Sequence, residues 1–337
     1  MPTLANETRF TADMEPQLAA VNELFSRELS SSLPHVQQLL THVGRFRGKM
    51  LRPLLVLLSG QAVEAADPES RGLGNAHIVL ATVVEMVHVS TLVHDDILDN
   101  AEVRRRGATI NYLHGNEAAV LLGDLLISHA FHLCSSLESQ AASRLIGHTT
   151  NVVCEGELTQ NFNRGNWALD EATYFDIIYR KTASLIETSC RLGAGESAGG
   201  RPHHAPAIDA LARYGRLLGL AFQIVDDVLD IAGAQTTVGK SLGTDIEKGK
   251  LTLPMIHFLA SAAPSHRELL IGLLESNEHD RVERVRQLLL PSVSMTYARD
   301  KAQSLVDQAI AALDDLTDSP ARGTLAQMAA FVTTRQV

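Results

Sequence analysis

Residues 76–100 read AHIVLATVVEMVHVSTLVHDDILDN, and their spacing decides the fold. Apolar side chains recur at helical intervals and lie nearly all round the cylinder, which marks a helix buried among other helices. Three polar residues sit in phase on it. At about 100° per residue, Asp95 falls about 20° behind His88 and Asp99 about 20° ahead, so the three share one face. Carboxylates buried bare on an apolar helix are costly, and lysine partners or a metal must compensate them.

The pattern returns 131 residues later. AFQIVDDVLD (221–230) echoes HVSTLVHDDILD (88–99), giving a second DDxxD from Asp226, Asp227 and Asp230, with Gln223 one turn earlier. Carboxylates at i and i+4 project together and suit a hard cation such as Mg²⁺, which takes oxygen ligands and shares phosphate oxygens. One DDxxD reads equally well as a solvated or salt-bridged acidic face, whereas two in strongly apolar helices disfavour that reading. A di-iron centre would want Glu and Glu-x-x-His repeats on four helices, and the sequence lacks them.

Outward from these motifs, helical spacing covers 16–41, 50–66, 76–100, 117–138, 142–164, 171–198, 207–232 and 252–263. Gly, Pro and polar residues break it at Asp67-Pro68, 199–206, Ala263-Pro264 and Leu290-Pro291-Ser292. No strand or hairpin signal stands out. The fold class expected is all-α, a single large helical bundle with a central cavity. Residues 1–15 read as a loose arm and 16–337 as one domain. The stretch GAQTTVGKSLGTDIEKGKL (233–251) reads as a long surface loop of the kind used as a lid.

Composition bounds the function. With 45% hydrophobic residues in 337, the chain has ample core and is not disordered. A net charge of −10 lacks the footprint of a nucleic-acid binder. Cys134, Cys154 and Cys190 are dispersed, with no metal spacing, and read as buried thiols in a reducing compartment. The N-terminus has no apolar signal core, and no run of about eighteen apolar residues suggests a membrane span. A cytoplasmic location is therefore expected.

Basic residues cluster against this acidic background. GKMLRP (48–53) opens a helix just after Arg45 and Arg47. Arg104, Arg105 and Arg106 follow the first DDxxD, Lys181-Thr182 lie on another helix, and Lys240, Lys248 and Lys250 lie in the loop. Singly, each reads as a solvated charge run. Together with the carboxylates they describe a site for one or two Mg²⁺-diphosphates. No Walker A, GxSxG or local cysteine nucleophile appears, so metal-assisted departure of diphosphate fits better than attack by a protein nucleophile.

These residues together resemble the all-trans polyprenyl diphosphate synthases, the head-to-tail isoprenyl chain-elongation enzymes. GKMLRP, HVSTLVHDDILD, the arginine run, Gly123-Asp124, GELTQ (156–160), KTASL (181–185), AFQIVDDVLD, GKSLGTD (239–245) and GKLTLP (249–254) carry the likeness, from about Leu33 onward. The resemblance implies condensation of an allylic diphosphate with isopentenyl diphosphate, with about three Mg²⁺ ions per site. It implies that Asp95, Asp99 and Asp226 ligate Mg²⁺, while Asp96, Asp227 and Asp230 orient ligands or metal waters. Arg104, Lys181 and Lys240 should touch the allylic diphosphate. Lys49, Arg52, His88 and Arg105 should hold the diphosphate of isopentenyl diphosphate. Thr182 and Gln223 should flank the reacting carbons, with Asp245 and Lys250 in the lid. Arg47 and Arg106 stand where many members have glycine.

The resemblance also places the growing chain beneath the first DDxxD helix, past Ser90 and Thr91 and then Val87 and Val84. None is large, which implies a long product, of the kind used as a quinone side chain. A farnesyl or geranylgeranyl synthase, a cyclase, a squalene-type synthase and a non-catalytic subunit of a heteromeric enzyme remain the alternatives. A homodimer is expected, with 117–133 a candidate face, and transient membrane contact on release of a lipid product.

Overall fold

Helices make up 79% of the computed structural model, which describes residues 10, 12–46, 48–67, 72–104, 107–233 and 243–334. The chain divides into two compact units. The first comprises residues up to Thr150, Leu185–Gly215 and Ala312–Met328; the second comprises Asn151–Ser184, Arg216–Ala311 and residues from Ala329 on.

In the first unit, α1 (Glu15–Glu28) and α2 (Pro34–Val43) replace the single helix expected over 16–41. Pro34 accounts for the break, since proline is tolerated in a first turn and not inside a helix. Met14 is buried, so the loose arm does not extend to residue 14; residues 1–9 and 11 lie outside the described ones. Helix α3 (Leu51–Glu64) and α4 (Asn75–Leu98) are buried along most of their length, as their all-round apolarity requires. A two-stranded hairpin follows, β1 (Val103–Arg104) paired antiparallel with β2 (Gly107–Ala108). It corrects the expectation of no strand: two-residue strands leave no alternating pattern to read.

Helix α5 (Ile110–Ser135) starts seven residues before the expected 117 and bends at Gly115, where φ is 83°. It packs on α4 at Gly123, where any Cβ would collide with His94, and the Ser90 hydroxyl donates to the Gly123 carbonyl at 2.8 Å. Both α4 and α5 are long and apolar enough to cross a bilayer by length and composition alone, although polar residues interrupt each of them. In α4 that stretch is 72% buried, so the core explains its apolarity; in α5 only 33% is buried.

Helix α6 (Gln140–Phe162) begins in the first unit and ends in the second. The helix expected over 171–198 is two, α7 (Glu171–Ile178) and α8 (Ser184–Ala198), joined by a π-turn at Tyr179–Ala183. Gly193 on α8 has no room for a Cβ against the Val56 carbonyl of α3. Helix α9 (Ala205–Ala232) carries the second DDxxD, and the four-residue α10 (Thr244–Glu247) follows. The rest of the chain forms α11 (Leu253–Ser261), α12 (Pro264–Glu275), α13 (Arg281–Leu289), α14 (Val293–Ala311) and α15 (Pro320–Thr334). Within the second unit α11 packs on α14 and α7, and α10 on α13. Of the cysteines, Cys134 and Cys190 are buried as expected, but Cys154 on α6 is exposed.

Candidate active site

The first unit holds the first aspartate motif at the end of α4. Asp96 is buried at 1% exposure, and Arg104 of β1 grips it: Nε donates to both carboxylate oxygens at 2.8 and 3.0 Å, and Nη2 lies 2.8 Å from Oδ1. Burial and the neighbouring Asp95 and Asp99 push the Asp96 carboxyl above the usual range, while Arg104 pulls it back. Asp95 and Asp99 are half-buried. Asp99 is the cap residue after the last helical turn (φ −97°, ψ 0°), so it continues the face predicted from regular spacing only through its N–H to the Asp95 carbonyl at 2.8 Å.

Among the described residues two that are not glycine adopt left-handed backbone, and each borders a predicted motif. Asn100 (φ 47°) turns the chain out of the first DDxxD, and Met50 (φ 53°) precedes α3 inside GKMLRP. Asn is tolerated there, whereas Met carries real strain of the kind that marks functional loops. Lys49 is exposed. Arg52 is half-buried, its Nε buried with no hydrogen-bond partner, and burial lowers its affinity for its proton while Glu85 opposes this. A guanidinium in that condition suits an anionic ligand. His88 and Thr91 are half-buried, with the Thr91 hydroxyl turned to the His88 carbonyl at 2.7 Å; Val84, Val87 and Ser90 are buried.

The second unit brings several of the other predicted residues, Lys181, Gln223, Asp227, Asp245 and Lys250, to the wall of a cavity of about 70 Å³, together with the unpredicted Tyr174. Two local features bring them together. The first is the π-turn. Eight residues separate Tyr174 from Thr182, an offset of about 80° in a regular helix; one extra residue in a π-turn reduces it to about 20°. Both side chains then reach the same pair on α9. Tyr174 donates to Asp227 Oδ2 at 2.7 Å, Gln223 Nε2 donates to Asp227 Oδ1 at 2.8 Å, and the Thr182 hydroxyl donates to Gln223 Oε1 at 2.8 Å. The second feature is Gly156 of GELTQ. A Cβ there would stand 2.6 Å from the Arg180 Cβ and 2.8 Å from the Lys181 nitrogen. This close approach lets Lys181 pair with Glu157 and donate to Gln160 Oε1 at 3.1 Å.

Asp230 accepts from Thr244 N–H at 3.2 Å, Thr244 Oγ1 at 2.9 Å and Asp245 N–H at 3.1 Å, so it ties α10 to the end of α9. Burial, Asp245 and Asp226 hold the Asp227 carboxyl well above the usual range against its two donors. Burial and Asp230 push Asp245 up to about 6 against Lys250, Lys248 and Lys181. Tyr174, buried beside Asp227, keeps its proton far above the ordinary tyrosine range. Arg47, Arg105, Arg106, Lys240 and the 234–242 part of the expected lid lie outside the described residues.

Each motif offers hard oxygen donors whose mutual repulsion a cation would relieve, which fits Mg²⁺. Among the described residues no three acidic, His or Cys side chains form a metal cluster by themselves. Ligand oxygens and water would therefore complete the coordination.

The Polyprenyl synthetase family matches residues 33–290. The chain belongs to that family. An octaprenyl diphosphate synthase of Escherichia coli (strain K12) is 34% identical over 313 residues, 93% of this chain and 94% of that protein. A short chain isoprenyl diphosphate synthase of Methanothermobacter thermautotrophicus is 35% identical over 294 residues, 86% and 87% of the two chains. A crystal structure of a decaprenyl diphosphate synthase from Rhodobacter capsulatus superposes with a TM-score of 0.88 at 32% identity, covering 98% of this chain and 99% of that one. This polyprenyl synthetase is thus a prenyltransferase with the all-α isoprenoid synthase fold.

Proposed function

We propose that this polyprenyl synthetase condenses an allylic diphosphate with isopentenyl diphosphate, repeatedly, into a long all-trans polyprenyl diphosphate. The observation that carries the reading is the second-unit cluster: a cation, Lys181, and a Thr182–Gln223–Asp227 chain meet at one cavity beside a DDxxD. In this reading residues 16–337 act as one domain.

Asp95, Asp99 and Asp226 would hold Mg²⁺, which when bound supplies positive charge to the departing diphosphate. Asp96, Asp227 and Asp230 keep orienting roles, supported by their engagement with Arg104, Tyr174, Gln223 and Thr244. Lys181, Arg104 and Lys240 contact the allylic diphosphate. Lys49, Arg52, His88 and Arg105 hold the other diphosphate, a role that the unpartnered Arg52 Nε supports. Thr182 and Gln223 turn their oxygens toward the developing allylic cation and help stabilise it. Asp245 and Lys250 belong to the segment that shuts water out.

Small Ser90, Thr91 and Val87 support a product beyond geranylgeranyl length, the reading preferred over a short-chain enzyme. Ser90 spends its hydroxyl on Gly123, so a large residue there would part α4 from α5; half-buried Thr91 is the cleaner probe. Product chain length, resolved by chromatography, should exceed about twenty carbons in the wild type and shorten in Thr91→Phe. Farnesyl or geranylgeranyl diphosphate from the wild type would establish the short-chain alternative instead. The chain is expected to work as a homodimer in the cytoplasm, and the exposed Leu121 and Val120 of α5 support that helix as the pairing face.

A further inference from the structure

The proposed reaction depends on Thr182 and Gln223 standing at fixed positions beside the reacting carbons. Gln223 alone cannot fix itself, because its amide can rotate by half a turn and exchange donor for acceptor. Asp227 settles the choice. Its Oδ1 accepts from Gln223 Nε2 at 2.8 Å, and with the amide so turned Gln223 Oε1 accepts from the Thr182 hydroxyl at 2.8 Å. Asp227 in turn would be free to rotate about its own axis were its second oxygen unanchored. Tyr174 anchors it, donating to Oδ2 at 2.7 Å from a ring only 3% exposed.

We propose that Tyr174 is a positioning residue of this enzyme, fixing Gln223 and Thr182 through Asp227 while touching no substrate itself. The inference rests on the function proposed above. The π-turn gives it independent weight: without that turn Tyr174 and Thr182 would project about 80° apart and could not end the same chain of hydrogen bonds. The base of the tyrosine is itself held, since α7 opens with Glu171, which accepts from Tyr297 of α14 at 2.7 Å and pairs with Lys301 at 3.3 Å.

Steady-state kinetics on the full chain with Mg²⁺, a labelled allylic diphosphate and isopentenyl diphosphate test it. Wild-type activity must be present, and its absence would refute the proposed function rather than the role of Tyr174. Given activity, Tyr174→Phe should lower kcat roughly 10- to 100-fold, as loss of an orienting partner does, with the KM for isopentenyl diphosphate held within about twofold. On an Asp227→Ala background the same change should add less than about a twofold loss, because the partner it acts through is gone. An unchanged kcat, or losses that multiply in the double variant, would overturn the proposal. Should Tyr174→Phe not fold, Tyr174→3-fluorotyrosine keeps the shape and alters only the strength of the donor. A changed kcat that becomes unchanged on the Asp227→Ala background supports the proposal, and an unaltered kcat on the wild-type background refutes it.

Discussion

The two aspartate motifs are nearly the same word set in different chemistry. In the first unit the middle carboxylate, Asp96, is held by a full positive charge from Arg104. In the second unit its counterpart, Asp227, is held by two neutral donors, Tyr174 and Gln223. The Arg104 guanidinium offsets part of what burial does to Asp96, whereas Asp227 has only neutral donors and its proton affinity stands far above the ordinary value. Identical spacing therefore does not imply identical roles. The buried carboxylate of the first motif has a cationic partner within the protein, whereas that of the second has none among its hydrogen-bond donors and is left for a proton or an incoming cation to compensate.

The largest effects should come from the proposed metal ligands. Asp95→Ala and Asp226→Ala should each lower kcat by about 10²–10³-fold, measured with saturating substrates and Mg²⁺, and near wild-type turnover in either would remove that residue from the proposed metal ligands. Next comes the difference in compensation. Arg104→Gln strands a buried carboxylate, so urea unfolding should show a loss of about 1–3 kcal/mol, larger at pH 8 than at pH 5, because Asp96 must then be protonated to stay buried. A loss independent of pH would mean that Arg104 contributes packing alone.

A smaller effect should follow Gly156→Ala. Its Cβ meets the backbone at Lys181, so the helix must shift, costing about 1–2 kcal/mol and raising the KM of the allylic substrate more than that of isopentenyl diphosphate. Smallest is a pH effect at Asp245. Its proton is held to about pH 6 in the folded chain but leaves near 4 when unfolded, so the metal-free protein should lose stability as pH rises between those values. Thermal unfolding of Asp245→Asn against wild type should show the slope flatten across that window.

Much of this was legible in the sequence. The doubled DDxxD, Lys181-Thr182 and Gln223 could be read because charges and amides inside apolar helices stand out, and the second unit brings Lys181, Gln223 and Asp227 of the second motif to one cavity, with Thr182 bonded to Gln223. Tyr174 could not, since an aromatic beside Phe175 in an apolar helix reads as core, and only the π-turn puts it in line with Thr182. The β1–β2 hairpin escaped because its position follows from the tertiary contact of Arg104 with Asp96 rather than from any strand pattern. Beyond residue 263 the helices α13 and α14 are rich in charged and amide side chains, so little apolar content marked them in the sequence although α14 runs to 19 residues. Cys154 misled because cysteine is usually buried, and this one lies on the outer side of α6.

The most direct measurement is incorporation of radiolabelled isopentenyl diphosphate by the purified chain alone, offered allylic starters of several lengths, with Mg²⁺ and with Mg²⁺ removed by chelation. The account predicts magnesium-dependent transfer of label into an acid-labile allylic diphosphate longer than the starter by whole isoprene units. No incorporation under any starter, or equal incorporation after chelation, would contradict it.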